Sequence, residues 1–137
     1  MTRRAITGGC LCGAVRYTAS APPRFAGYCC CVDCRRASGS GFVPFMGFAA
    51  DTLSITGPTQ RFAIPSLRGS DAVRNSCPTC HSLIFGGIYG QDSQHTIYAG
   101  SLDDPTHFHP TIAIFNAHRP NWVSLPDGLK LFDFMPE

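Results

Sequence analysis

The sequence predicts an all-β fold with little helix, and three observations carry that expectation. Short runs rich in β-branched and aromatic residues recur along the chain, each bounded by Gly, Pro, Asp or Asn, which is the spacing of strands joined by tight turns. Lys130 and Glu137 are the only residues of their types, so the usual filling of exposed helix faces is missing. The 14 Gly and 11 Pro among 137 residues stay below the roughly 25–30% of a disordered chain and are read as turns.

The clearest strand is "AVRYTA" at 14–19, where Val15, Tyr17 and Ala19 alternate with Ala14, Arg16 and Thr18, as a half-buried strand requires. Further strands are predicted over 42–49, 52–56, 60–64, 82–90, 95–99 and 112–116. Pro44 marks the first of these as an edge or bulged strand, because proline has no N–H to give to a ladder. A single short helix is predicted over 33–39, stopped by Gly39. With 44% hydrophobic residues and no linker, repeat or low-complexity segment, residues 1–137 are expected to form one domain.

A net charge of +2 with scattered arginines argues against nucleic acid as a partner, which needs a basic stripe. No apolar run approaches the ~20 residues of a membrane span. The amino end "MTRRAITGGCLCG" has no apolar stretch of the kind a secretory signal carries, so a cytoplasmic location is expected. Stable disulfides are rare in that reducing compartment, and the eight cysteines therefore point to metal or redox chemistry.

The cysteines fall into three groups: Cys10 and Cys12, the cluster Cys29, Cys30, Cys31 and Cys34, and Cys77 with Cys80. A C-x-x-C turn aims two sulfurs at one ion, and two cysteine turns from distant segments complete a tetrahedral shell. Cys10, Cys12, Cys77 and Cys80 are accordingly predicted to enclose a structural zinc ion whose binding energy is folding energy. Thioredoxin-like redox chemistry at Cys77 and Cys80 would need a βαβ context that the pattern lacks. The c-type haem reading of "CPTCH", with His81 as axial ligand, would go with export.

Cys29, Cys31 and Cys34 form a C-x-C-x-x-C pattern and are predicted to hold a second zinc ion with its fourth position open, as in catalytic sites. Cys30, between two ligands, is assigned to the core as a small hydrophobe. Three thiolates leave zinc with a net charge of −1, a weak Lewis acid poorly suited to making hydroxide but suited to a soft sulfur ligand. The expected substrate is therefore a small thiol. Arg35 and Arg36, just past the last ligand, are candidate receivers of its carboxylates, with solvated surface arginines as the alternative.

The stretches "GGCLCGAVRY", "CCCVDCRRASGSGF", "SCPTCHSLIF" and "SLDDP" followed by "RPNWVSLPDGL" resemble the glutathione-dependent formaldehyde-activating enzyme family, which includes the centromere protein V type of domain. The resemblance spans nearly the whole chain. It implies a β fold of the Mss-four-like kind with an embedded zinc ribbon and two zinc ions. Cys10, Cys12, Cys77 and Cys80 match the structural ligands, and Cys29, Cys31 and Cys34 match those of the catalytic site. The implied activity is that of a carbon–sulfur lyase forming or cleaving S-hydroxymethylglutathione from glutathione and a small carbonyl compound.

Three positions depart from the family pattern: Cys30 stands where histidine is usual, His81 where glycine is usual, and Ala113 where a histidine is frequent. These bear on substrate identity more than on metal binding. His95, His107, His109 and His118 are candidates for a proton shuttle, against core or surface placement. Two other functions compete with the enzyme: a non-catalytic zinc module that binds a macromolecular partner, and a thiol redox sensor built on the vicinal Cys29 and Cys30.

Overall fold

The computed structural model describes residues 5–136. In chain order it contains β1 (Ile6–Gly9), β2 (Arg16–Ala19), β3 (Phe25–Cys29), α1 (Val32–Ser38), β4 (Val43–Ala49), β5 (Leu53–Thr56), β6 (Gln60–Pro65), β7 (Asp71–Ser76), β8 (Leu83–Gly86), β9 (Gln94–Tyr98), β10 (Ile112–Ile114) and β11 (Lys130–Leu131). The predicted all-β class holds, with α1 as the one α-helix among the described residues. None of these elements is a helix long and apolar enough to cross a membrane.

The strands form a three-stranded sheet, β1-β2-β5, and an eight-stranded sheet, β11-β10-β3-β4-β9-β8-β7-β6. Alternation in β2 buries Val15, Tyr17 and Ala19 and exposes Ala14, Arg16 and Thr18. That buried row packs with Leu53 against Met46, Phe48, Phe85 and Ile97 of the larger sheet, so the main core lies between the two sheets. The paired residues Phe25↔Gly47, Phe45↔Tyr98 and Gly86↔Thr96 alternate with these core residues and so lie on the opposite face, since side chains alternate along a strand. That second face carries the cavity described below.

Pro44 corrects one expectation. Its strand, β4, lies inside the large sheet between β3 and β9. Pairing with β9 begins only at Phe45↔Tyr98, whereas Tyr28↔Pro44 already pairs β4 with β3. Proline is tolerated because it sits where β4 has a neighbour on one side only. The run predicted over 82–90 also ends early, at Gly86, because Gly87 takes a φ of 95°, which breaks the ladder.

At the corner of the small sheet, Arg16 clamps Asp103 through both guanidinium branches, with Nη1–Oδ1 at 3.0 Å, and Thr7 Oγ1 donates to Oδ2 at 2.7 Å. These donors hold the Asp103 carboxyl down at about 2. A depressed carboxyl contributes stability above its unfolded value of about 3.9 and loses it as pH falls toward its folded value. Asp103→Ala is expected to lower Tm by a few degrees at pH 7, the effect being limited by solvent screening. The difference from wild type should shrink between about pH 4 and pH 2, read by thermal unfolding across that range.

Candidate metal centres and the adjoining cavity

Two cysteine groups converge. The Sγ atoms of Cys10, Cys12, Cys77 and Cys80 all lie within 4.8 Å of one another, as do those of Cys29, Cys31 and Cys34. All eight cysteines are free thiols.

In the first group, Cys10–Cys12 and Cys12–Cys77 sulfur separations are 3.6 and 3.7 Å. A disulfide needs about 2.05 Å, whereas four sulfurs at about 2.3 Å from a tetrahedral zinc stand about 3.8 Å apart. The donor set thus fits a closed thiolate shell. Backbone and hydroxyl donors already face it: Val15 N–H to Cys10 Sγ at 3.3 Å, Thr79 N–H to Cys77 Sγ at 3.4 Å, and the Ser82 hydroxyl beside Cys80 Sγ at 3.2 Å. The hydroxyl and N–H of Ser82, with the N–H of Cys12, hold the Cys80 thiol down at about 5.

The turn after Cys80 is unusual. His81 adopts the left-handed region at φ 63° so that its N–H reaches the Cys77 carbonyl at 2.9 Å. A side chain in that region costs roughly 1–2 kcal/mol. His81→Gly is therefore expected to raise stability by about 1 kcal/mol, opposite in sign to the usual effect of introducing glycine. Chemical denaturation of the two metal-loaded proteins checks it.

In the second group Cys29 ends β3, Cys31 caps α1 and Cys34 sits in its first turn. Cys31 Sγ accepts the N–H of Cys34 at 3.2 Å, and the sulfurs of Cys34 and Cys29 are 3.4 Å apart. Thiol donors from Cys29 and Cys34, with the N–H groups of Cys34 and Asp33, pull Cys31 down to about 2 despite its burial. Cys29 is driven far up, because it donates to Cys31 and stands beside Cys34. Cys31 is thus the thiolate of the trio, and the other two protons are those a bound cation would displace. Among the described residues no fourth Cys, His, Asp or Glu donor joins this cluster.

The trio opens onto a cavity of about 620 Å³ on the outer face of the large sheet, within the size range of small-molecule sites. Phe25, Phe45, Ile112 and Ile114 supply apolar lining, and Arg74, Arg68 and Tyr98 line the cavity as well, Tyr98 being the cross-strand partner of Phe45. Gly47 makes room for this arrangement, since a Cβ there would collide with the Phe25 ring. Arg74 Nη2 stands 3.8 Å from Cys34 Sγ. Burial pushes the Tyr98 hydroxyl up to about 12, so it is a neutral hydrogen-bonding group at physiological pH.

Arg35 and Arg36 do not line this cavity. They follow Cys34 by one and two residues on α1, and steps of about 100° per residue turn them away from the face Cys34 presents. Arg74 and Arg68 line the cavity, from a segment to which sequence pattern assigns no element. The polar string "DAVRNS" shows little hydrophobic alternation and becomes β7 through its pairing with β6 and β8. A basic residue inside a short run of strand length was the available signal. Cys30 is fully buried and outside both clusters.

None of the histidines reaches the cavity. His95 is 1% exposed, its Nδ1 3.1 Å from the Gly86 carbonyl oxygen and its ring edge-on to Phe85. His118 packs against Phe115 and Phe134, His107 stands near Asp104, and His109 is exposed. Ala113, where a family histidine is frequent, is fully buried.

Comparison with known proteins gives two findings. A family model described as glutathione-dependent formaldehyde-activating enzyme matches residues 5–118. A crystal structure of a Rhodobacter sphaeroides protein is similar with a TM-score of 0.51 at 20% identity, over 71% of this chain and 87% of that one, which is a likeness of fold. No curated protein matches in sequence.

Proposed function

The chain belongs to the glutathione-dependent formaldehyde-activating enzyme family, and on that premise we propose that it is a zinc-dependent carbon–sulfur lyase joining glutathione to a small carbonyl compound, or releasing it, beside Cys29, Cys31 and Cys34. The observation that carries this reading is the asymmetry between the two cysteine groups. Four sulfurs close the first, whereas three face a cavity in the second. Cys10, Cys12, Cys77 and Cys80 would hold a structural zinc ion, and the trio would hold a second whose charge favours the thiolate form of an incoming thiol.

The chain's own residues do the rest. Arg74 and the more exposed Arg68 offer guanidinium groups to the carboxylates of a tripeptide thiol, the match for which arginine is best suited. The cavity walls bring the sulfur and a carbonyl carbon together and shield them from water. The sulfur then forms a C–S bond to that carbon while the C=O π pair moves to oxygen, which takes a proton. In reverse, the hydroxyl loses its proton, the carbonyl reforms and the C–S bond breaks. Tyr98 is the hydroxyl at hand in the cavity wall.

Titrating glutathione into the zinc-loaded protein while following zinc-edge absorption tests the reading. A new sulfur neighbour is expected; an unchanged shell at saturating thiol would overturn it in favour of a non-catalytic zinc module. Arg74→Ala is expected to weaken glutathione binding about 10–100-fold, the value of a hydrogen-bonded charge pair of about 1.5–3 kcal/mol. Arg36→Ala, on the far side of α1, should leave binding unchanged, and calorimetry of the two variants separates them.

A further inference from the structure

The cavity is poorly matched to a polar tripeptide and a one-carbon aldehyde alone. Phe25, Phe45, Val43, Ile112 and Ile114 line it continuously beside Cys29. They come from three adjacent strands whose register puts them on one face: Phe25 stands opposite Gly47, Cys29 opposite Val43 and Ile114. The Phe25 and Phe45 rings meet edge to face at 5.9 Å, and Phe25 remains 36% exposed. At the rim, Leu67 and Met135, both lining the cavity, are 57% and 39% exposed. Arg74, on β7, and Arg68, just before it, also line the cavity; β7 lies three strands along the sheet from β4, and Arg74 Nη2 is 3.8 Å from Cys34 Sγ. The hydrocarbon of β10, β3 and β4 and the guanidinium groups at β7 thus come from separate parts of one sheet.

We propose that the carbonyl partner carries an apolar group about the size of a phenyl ring, so that the site's ligand is a glutathione adduct of a bulky aldehyde rather than of formaldehyde. This rests on the lyase reading above and specifies its substrate class. The sulfur lies at the trio, the tripeptide carboxylates run toward Arg74, and the apolar substituent on the former carbonyl carbon lies on Phe25, Phe45 and Ile112. A one-carbon adduct would leave that wall wet, whereas a ring removes apolar surface from water on both partners.

Calorimetric binding of S-methylglutathione and S-benzylglutathione to the zinc-loaded full chain tests the inference without turnover. The benzyl compound is expected to bind at least about tenfold more tightly, since even one methylene in an apolar pocket is worth that much. Ile112→Trp, which fills the wall, should cut this ratio at least about fivefold. Equal affinities for the two compounds in wild type would overturn the proposal, and that comparison needs no variant to fold. NMR exchange of the formaldehyde adduct keeps the two readings apart. Accelerated exchange with no benzyl preference sinks the inference and spares the lyase, whereas a benzyl preference without accelerated exchange of either adduct sinks the lyase.

Discussion

Cys77→Ala is expected to leave the chain unfolded at room temperature, with loss of one equivalent of bound zinc and of the cooperative thermal transition. Two losses add. Cys77 is fully buried in the main core, and removing a buried side chain of that size costs on the order of 1–2 kcal/mol. Losing the metal costs more: a structural zinc contributes about 10–16 kcal/mol in small zinc domains, against total stabilities of about 5–15 kcal/mol. Loss of one thiolate from a closed four-sulfur shell removes a substantial part of that, and it leaves three sulfurs facing each other with no ion to offset their charge. The cluster also ties Cys12 to a residue 65 positions away. A covalent cross-link over that span is worth about 4 kcal/mol of chain entropy, compared with about 2 kcal/mol for a five-residue span. Circular dichroism and zinc content check the outcome. A variant that melts cooperatively within a few degrees of wild type would show that the first cluster does not hold the fold.

The first cluster was legible from spacing alone because its ligands sit in two cysteine turns, and a turn's geometry is local. The same holds for α1, whose end at Gly39 with φ 74° follows from composition. What the sequence concealed depends on pairing across long distances. β3 contains Gly27, which strand preference disfavours, yet any side chain there would press into Ile112; only the packing of β10 against β3 explains it. The cavity is harder still to foresee, because its wall combines residues from β3, β4 and β10 with an arginine on β7. Arg35 and Arg36 drew attention by adjacency to Cys34, but adjacency on a helix places consecutive residues on different faces. Arg74 lies 40 positions from Cys34 in sequence and 3.8 Å from it in space.

Cys34→Ala is expected to abolish glutathione binding and adduct exchange while the protein melts near the wild-type temperature and keeps the first metal. The trio closes only a short loop, with Cys29 and Cys34 five positions apart, so little chain entropy depends on it. Its members end β3 and begin α1 rather than joining the two sheets. The sulfur removed is only half-buried, and the Sγ of Cys31 still caps the helix by accepting the N–H of residue 34. Function should suffer far more than stability. Without Cys34 the cluster has two sulfurs, too few to fix an ion against solvent, and Arg74 loses the sulfur beside it. Exchange is expected to fall to the uncatalysed rate and bound zinc from two equivalents to one, measured by NMR exchange and metal analysis of the same preparation. If the variant instead lost both metals and its thermal transition together, the two clusters would be one cooperative unit. The division between a structural site and a reactive one, from which the catalytic reading proceeds, would then be wrong.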